Sequence, residues 1–282
     1  NDMPELSEAA LEAQPLHRAY VLINRLMTAE DGKADFDALQ ALLEAHSKDF
    51  ARSEAFELYG HALNFCIRKM NKGHHEYYER TAALYRQLLD GGFLLLNGLF
   101  PPQQFKNIVS LHCRIGQTAW AGDFIRRHAP QLPPKAREQA ILYNTGVLAF
   151  FQQDYPQAIQ HLKNVIAQSR DDVFYGIDAR VYLWRSYFEH SDALSMEEYD
   201  EMHRLYDAFR LFVERNDKIS NAHKMDYRNF IRIFKRMIDL FPDRAGEREA
   251  LELLRQEILE TSPLPNRGWM LEKVEAALAR LS

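Results

Sequence analysis

Leu142-Tyr-Asn-Thr-Gly-Val-Leu-Ala-Phe-Phe-Gln-Gln-Asp-Tyr-Pro-Gln-Ala-Ile-Gln-His-Leu-Lys-Asn-Val165 decides how this chain is read. Apolar residues run at helical spacing up to Phe151, and Asp154 and Tyr155 then interrupt them as a turn. Pro156 follows at once. It fits the first turn of a second helix, where a missing N–H leaves no intrahelical bond unmade. Ala158, Leu162 and Val165 lie on one face of that second helix, at spacings of four and three. The stretch reads as two helices joined by a tight turn.

The same residues resemble one tetratricopeptide repeat. In that family Leu142 takes the first large position, and Gly146 takes the small position where the partner helix comes close. Ala158 is the second small position and Leu162 the large one. A large side chain at 146 would push the helices apart, which explains a glycine that costs about 1 kcal/mol in a helix interior. Thr145 and Ala149 depart from the family pattern, which has leucine and an aromatic there, and the closing proline is missing. Across the whole chain, Phe105-Lys106-Asn107-Ile108-Val109, Tyr227-Arg228-Asn229-Phe230 and Asn266-Arg267-Gly268-Trp269 are similar to bacterial tetratricopeptide-like proteins, to the C-terminal part of longer chains. The resemblance implies an all-α, right-handed superhelical solenoid of antiparallel helix pairs that serves as an interaction scaffold. It carries no activity.

The flanking sequence extends the helical reading. Leu16, Tyr20, Ile23 and Met27 predict one helical face, and Phe36, Leu39, Leu42 and Leu43 a second. Phe56, Tyr59, Leu63, Ile67 and Met70 predict a third, with Ser53 as its cap. Asn97-Gly98 has the form of a hairpin turn. The preferred reading of that region is a connector tucking Phe93, Leu95 and Phe100 against the helices. Ser195 with Glu198 predicts a capping box, Ser220 predicts the cap of a helix over 224–241, and Pro242 its end. About a dozen helices are expected in one domain spanning 1–282. Residues 1–15 form a frayed polar lead and 244–282 the capping helices.

Composition narrows the function classes. A formal net charge of −5 gives no general attraction for nucleic acid. No apolar run is long enough to span a bilayer, so no membrane insertion is expected. Only Cys66 and Cys113 occur, which suggests a reducing, cytoplasmic setting rather than a disulfide framework. The first residue is Asn1, so the chain also reads as a processed form or as the regulatory C-terminal region of a longer protein. Phosphate-loop and nucleophile-elbow motifs are missing. His74-His75 and His112-Cys113 are adjacent pairs that diverge on a helix. Glu197, Glu198 and Glu201 suit a helix start, where carboxylates meet the positive end of the dipole. No enzymatic activity, metal or cofactor is expected.

Two surfaces are candidates for binding. In tetratricopeptide arrays the first helix of each pair lines the concave side. That places Tyr143, Val147 and Phe150 in a groove for a peptide or partner protein, with Arg185 and Phe188 from the following pair. On this reading Phe150→Asp removes partner capture and leaves helicity intact. Trp184 falls near the small position of that following pair, so non-standard packing is expected there. The alternative is a polyanion or nucleic-acid site on the stripe Arg228, Arg232, Lys235 and Arg236. Its helix turns Phe230, Phe234, Met237 and Phe241 to the core.

Overall fold

In a computed structural model, the structure describes residues 14–29, 31–168, 173–244 and 247–281. Most of the expected polar lead therefore lies outside the described residues. The chain divides into two compact units, 1–144 and 145–282. Among the described residues there are thirteen α-helices and one isolated bridge, between Leu96 and Leu99. The fold is all-α.

The first unit holds α1 (Pro15–Thr28), α2 (Lys33–His46), α3 (Arg52–Asn71), α4 (Glu76–Asp90), α5 (Pro102–Arg114), α6 (Thr118–His128) and the start of α7 (Pro134–Phe151). From α1 to α6 each helix packs on the next in sequence, and α1 also packs on α3. That neighbour-on-neighbour pattern is compatible with a helical repeat. Gly32 makes the α1–α2 corner. Its φ of +65° is left-handed, and a Cβ there would lie 3.0 Å from the Phe65 ring. Phe36, Phe65 and Tyr77 form one aromatic knot, with centroids 5.3 to 5.8 Å apart. Phe100, Phe105 and Phe124 form another, at 5.0 to 5.6 Å. Such pairs contribute about 0.5–1.5 kcal/mol each beyond the area they bury.

Two expected faces match the buried ones only in part. In α1 the buried residues are Ala19, Leu22, Ile23 and Leu26, while Met27 is 66% exposed. In α3 the expected Tyr59 and Leu63 are buried, but so are Ala55, Leu58, Ala62, Phe65 and Cys66, while the expected Ile67 is exposed. Ala19, Ala55 and Ala62, all fully buried, share the inward faces with the large side chains. Ser53 lies inside the first turn of α3 and the cap position is Ala51. The connector after α4 contains both expected forms. Asn97 and Gly98 have φ of +50° and +78°, and Leu96 and Leu99 exchange N–H···O bonds of 2.8 and 2.9 Å, so a two-residue turn protrudes. Behind it Phe93, Leu94 and Phe100 are buried; Leu94, rather than Leu95, turns inward.

The second unit continues from the end of α7 through α8 (Tyr155–Gln168), α9 (Val173–Glu189), α10 (Met196–Arg215), α11 (Asn221–Arg244), α12 (Arg248–Glu260) and α13 (Arg267–Arg280). Consecutive helices from α8 onward again pack on one another. The α7–α8 crossing follows the sequence reading. A Cβ on Gly146 would meet Leu162 Cγ at 3.0 Å, and Ala158, Leu162 and Val165 are fully buried. The next pair is packed differently. Trp184 is wholly buried, lies 4.6 Å from Phe234, and donates its indole N–H to the Met202 carbonyl at 2.9 Å. It wedges α9 against α10 and α11, where a standard pair would place a small residue. The Ser195–Glu198 capping box is present, and the Ser220 hydroxyl accepts the His223 N–H at 3.3 Å. Helix α11 runs on to Arg244, two residues past Pro242.

Candidate functional site

The five groove candidates are all buried, at 8% exposure or less. Tyr143, in the first unit, has the Lys106 ammonium 5.8 Å from its ring centroid. Val147 is fully enclosed. The other three converge in the second unit. The Arg185 guanidinium carbon lies 4.6 Å from the centroid of Phe150, 5.3 Å from Tyr182 and 4.5 Å from Trp269, and Arg185 donates to Asn266 Oδ1 at 3.2 Å. Phe188 meets Trp269 at 5.6 Å and Phe241 at 5.0 Å. A guanidinium among aromatic faces is held by ring quadrupoles as well as by its hydrogen bond.

Around this buried centre stand half-exposed rings. Phe151 and Tyr155 flank Phe150 at 5.3 and 5.9 Å. Tyr182 lies 5.4 Å from Phe150. Trp269 donates its indole N–H to Glu189 at 2.8 Å, and Lys273 pairs with the same carboxylate at 2.8 Å. Phe150, Arg185 and Phe188 form the support, while Phe151, Tyr155, Tyr182 and Trp269 offer the accessible surface. Tyr182 could have been found from the sequence, since it precedes Arg185 by three and shares its helical face. Trp269 could not, because its place depends on α13 meeting α9. Burial also changes what Phe150→Asp does. A carboxylate there would be desolvated without a partner, so the expected outcome is lost stability rather than a cleanly folded, binding-dead chain.

The basic stripe on α11 is paired within the protein. Arg228 makes a bidentate contact with Glu214, both N···O distances 2.6 Å, and holds that carboxyl below its usual range. Arg232 and Arg236 both pair with Glu257 of α12, and Lys235 pairs with Asp239. Phe230, Phe234 and Met237 are fully buried behind them, with Phe241 half-buried.

The remaining titratable groups have structural surroundings. His112 is fully buried, stacks on Trp120 at 3.7 Å, and donates from Nδ1 to the Ile108 carbonyl at 2.9 Å. Burial lowers its pKa to about 4, so the ring is neutral at pH 7. Burial pushes the Cys66 and Cys113 thiols up to about 12, so both stay protonated. Glu201 accepts from the Tyr187 hydroxyl and from Lys163, each at 2.8 Å. Among the described residues no group of three His, Cys, Asp or Glu is placed to hold a metal ion, and no helix is long and apolar enough to cross a membrane. No protein-family model matches the chain, and no curated protein matches it.

Proposed function

We propose that this chain is a non-enzymatic interaction scaffold of tetratricopeptide-like helix pairs, stacked in the right-handed sense of that family, that captures an extended segment of a partner protein. The observation that supports it most is the half-exposed aromatic surface of Phe151, Tyr155, Tyr182 and Trp269 on its buried Arg185 centre. Tyrosine and tryptophan in rigid, partly desolvated settings make effective anchors, because they lose little side-chain freedom on binding. The Gly146–Leu162 crossing is the local packing that the tetratricopeptide reading requires. Two protonated, buried thiols suit a cytoplasmic, reducing setting.

The test is crosslinking capture of partners from native lysate, comparing the wild-type chain with Tyr155→Ser and Tyr182→Ser. Both variants are checked for native helicity by circular dichroism. The expected result is loss of the same captured species in both. Undiminished capture by both variants rejects this surface. The polyanion alternative draws no support from the stripe, since each of its four cations already faces a carboxylate.

A further inference from the structure

One cation of the 145–282 unit is held in place without an acid. Gly176 stands one turn before Arg180 on α9, and a Cβ at 176 would lie 3.0 Å from the Phe212 ring and 3.3 Å from Arg180 Nη1. With no side chain there, Phe212 of α10 closes on α9, and the Arg180 guanidinium lies against its ring, 3.7 Å from the centroid. Nη1 donates to the Gly176 carbonyl at 2.7 Å. One face and one donor of the guanidinium are thereby fixed. Among the described residues it has no carboxylate partner, and loss of hydration lowers its pKa to about 10, so it stays charged at neutral pH.

Arg180 lines an open cleft of about 520 Å³ together with Ala208, Leu211, Phe212 and Arg215 of α10 and the loop that follows. Leu211 is 38% exposed, and with Phe212 it gives the cleft an apolar wall. The charged neighbours leave the Arg180 guanidinium to a ligand. Lys218, also in the lining, has an interaction of its own and takes no part. Glu214 is occupied by Arg228. Asp178, two residues before Arg180, lies about 200° around the same helix and acts on the Tyr227 hydroxyl. Arg215 and Asp217, one of each sign, stand on the exposed rim.

We infer that this cleft binds a small monocarboxylate with an apolar body, its carboxylate on Arg180 and its hydrocarbon on Leu211 and Phe212. A charge drawn out of water is costly unless an opposite charge meets it, and no acid among the described residues meets this one. A guanidinium takes a carboxylate through two parallel N–H···O bonds. Arg180 can do so, because its only hydrogen bond among the described residues is the one from Nη1. Its fork already rests against Phe212, so little freedom is lost in presenting the remaining donors. With the two rim charges opposed, one cation is left for one anionic charge. That suits a carboxylate better than a phosphate carrying about −1.5 to −2 charges.

The test is isothermal titration calorimetry of the intact chain at low ionic strength with octanoate, acetate, 1-octanol and inorganic phosphate. Saturable binding of octanoate is expected, tighter than that of acetate, which lacks the apolar body, of octanol, which lacks the charge, and of phosphate. Arg180→Gln should weaken octanoate about tenfold or more, as loss of a charge-assisted hydrogen bond does. Should that variant fail to fold, Leu211→Ser, at an exposed position, should still weaken octanoate several-fold while leaving the thermal midpoint in place. No saturable binding of octanoate, an unchanged affinity in folded Arg180→Gln or in Leu211→Ser, or acetate, octanol or phosphate binding as tightly as octanoate overturns the assignment.

Discussion

Two glycines inside helices give the sharpest test of the helix-pair packing, because the same substitution should act with opposite sign at each. Gly60 lies within α3, and a Cβ added there meets nothing within 4 Å. Gly60→Ala therefore gains the helix-propensity difference of roughly 0.5–1 kcal/mol without a packing cost. Gly146 lies within α7 with the same intrinsic preference. A Cβ there would be 3.0 Å from Leu162 Cγ, 3.2 Å from His161 Cβ and 3.2 Å from Leu162 Cδ2. Ordinary carbon–carbon contact begins near 3.5 Å. Leu162 is fully buried, and a Cβ such as that of His161 moves only with its backbone. Overpacking of this kind costs about 1–3 kcal/mol. Set against the propensity gain, Gly146→Ala should be destabilising by up to about 2 kcal/mol, and Gly146→Leu by more. The assay is thermal and urea unfolding followed by far-UV circular dichroism and tryptophan fluorescence. Trp120 reports on the first unit, and Trp184 and Trp269 on the second. Each kcal/mol should move the midpoint by about 2–4 °C. If Gly146→Ala raises the midpoint as much as Gly60→Ala does, the close α7–α8 crossing is wrong, and the repeat reading falls with it.

Trp184→Ala should cost about 3–5 kcal/mol, since it empties a fully buried site and removes the indole donor from the Met202 carbonyl; chemical denaturation of the second unit measures it, and a loss below 1 kcal/mol contradicts the wedge. His112 gives a pH signature. Its folded pKa of about 4 lies below the unfolded value of about 6.5, so the unfolded state binds more protons between them. Stability on its account is complete above about pH 6.5 and falls as pH drops toward 4, by an amount on the order of 3 kcal/mol. His112→Gln should flatten that part of the stability–pH curve, and an unchanged slope refutes the assignment. For the stripe, Arg232 is already paired with Glu257, so Arg232→Glu should leave weak low-salt binding of duplex DNA unaltered. Steep, salt-sensitive binding that this substitution abolishes would restore the polyanion reading.

How much was legible divides along physical lines. The Leu142–Val165 hairpin was readable because its information is local: a turn, a proline at a helix start, and a glycine opposite a leucine. The Ser195 and Ser220 caps were readable for the same reason. The inward faces of α1 and α3 overlap only in part with the periodicity of their large apolar residues, at Ile23, Tyr59 and Leu63. In the fold Ala19, Ala55 and Ala62 are each fully buried, so small side chains mark the inward face alongside large ones. Of the candidate site, the family resemblance gives Phe150, Arg185 and Phe188 as groove-facing residues, and in the structure all three are buried. Whether an inward face borders a groove or a core depends on which distant helix covers it, and the segment around Trp269 supplies that cover in the second unit. The pairing of Arg232 and Arg236 with Glu257 was hidden likewise, since an acid on α12 belongs to the stripe only once α11 and α12 are side by side.

Arg185 reaches Asn266, 81 residues further along the chain, while its guanidinium rests against Phe150 and Trp269. One side chain thereby ties the end of α7 to the last helix, and seating α13 and shaping the aromatic platform become a single mechanical event. A molecule resting on Tyr155 and Tyr182 would read whether the C-terminal helix is docked, and anything that pulled that helix away would loosen the molecule's hold.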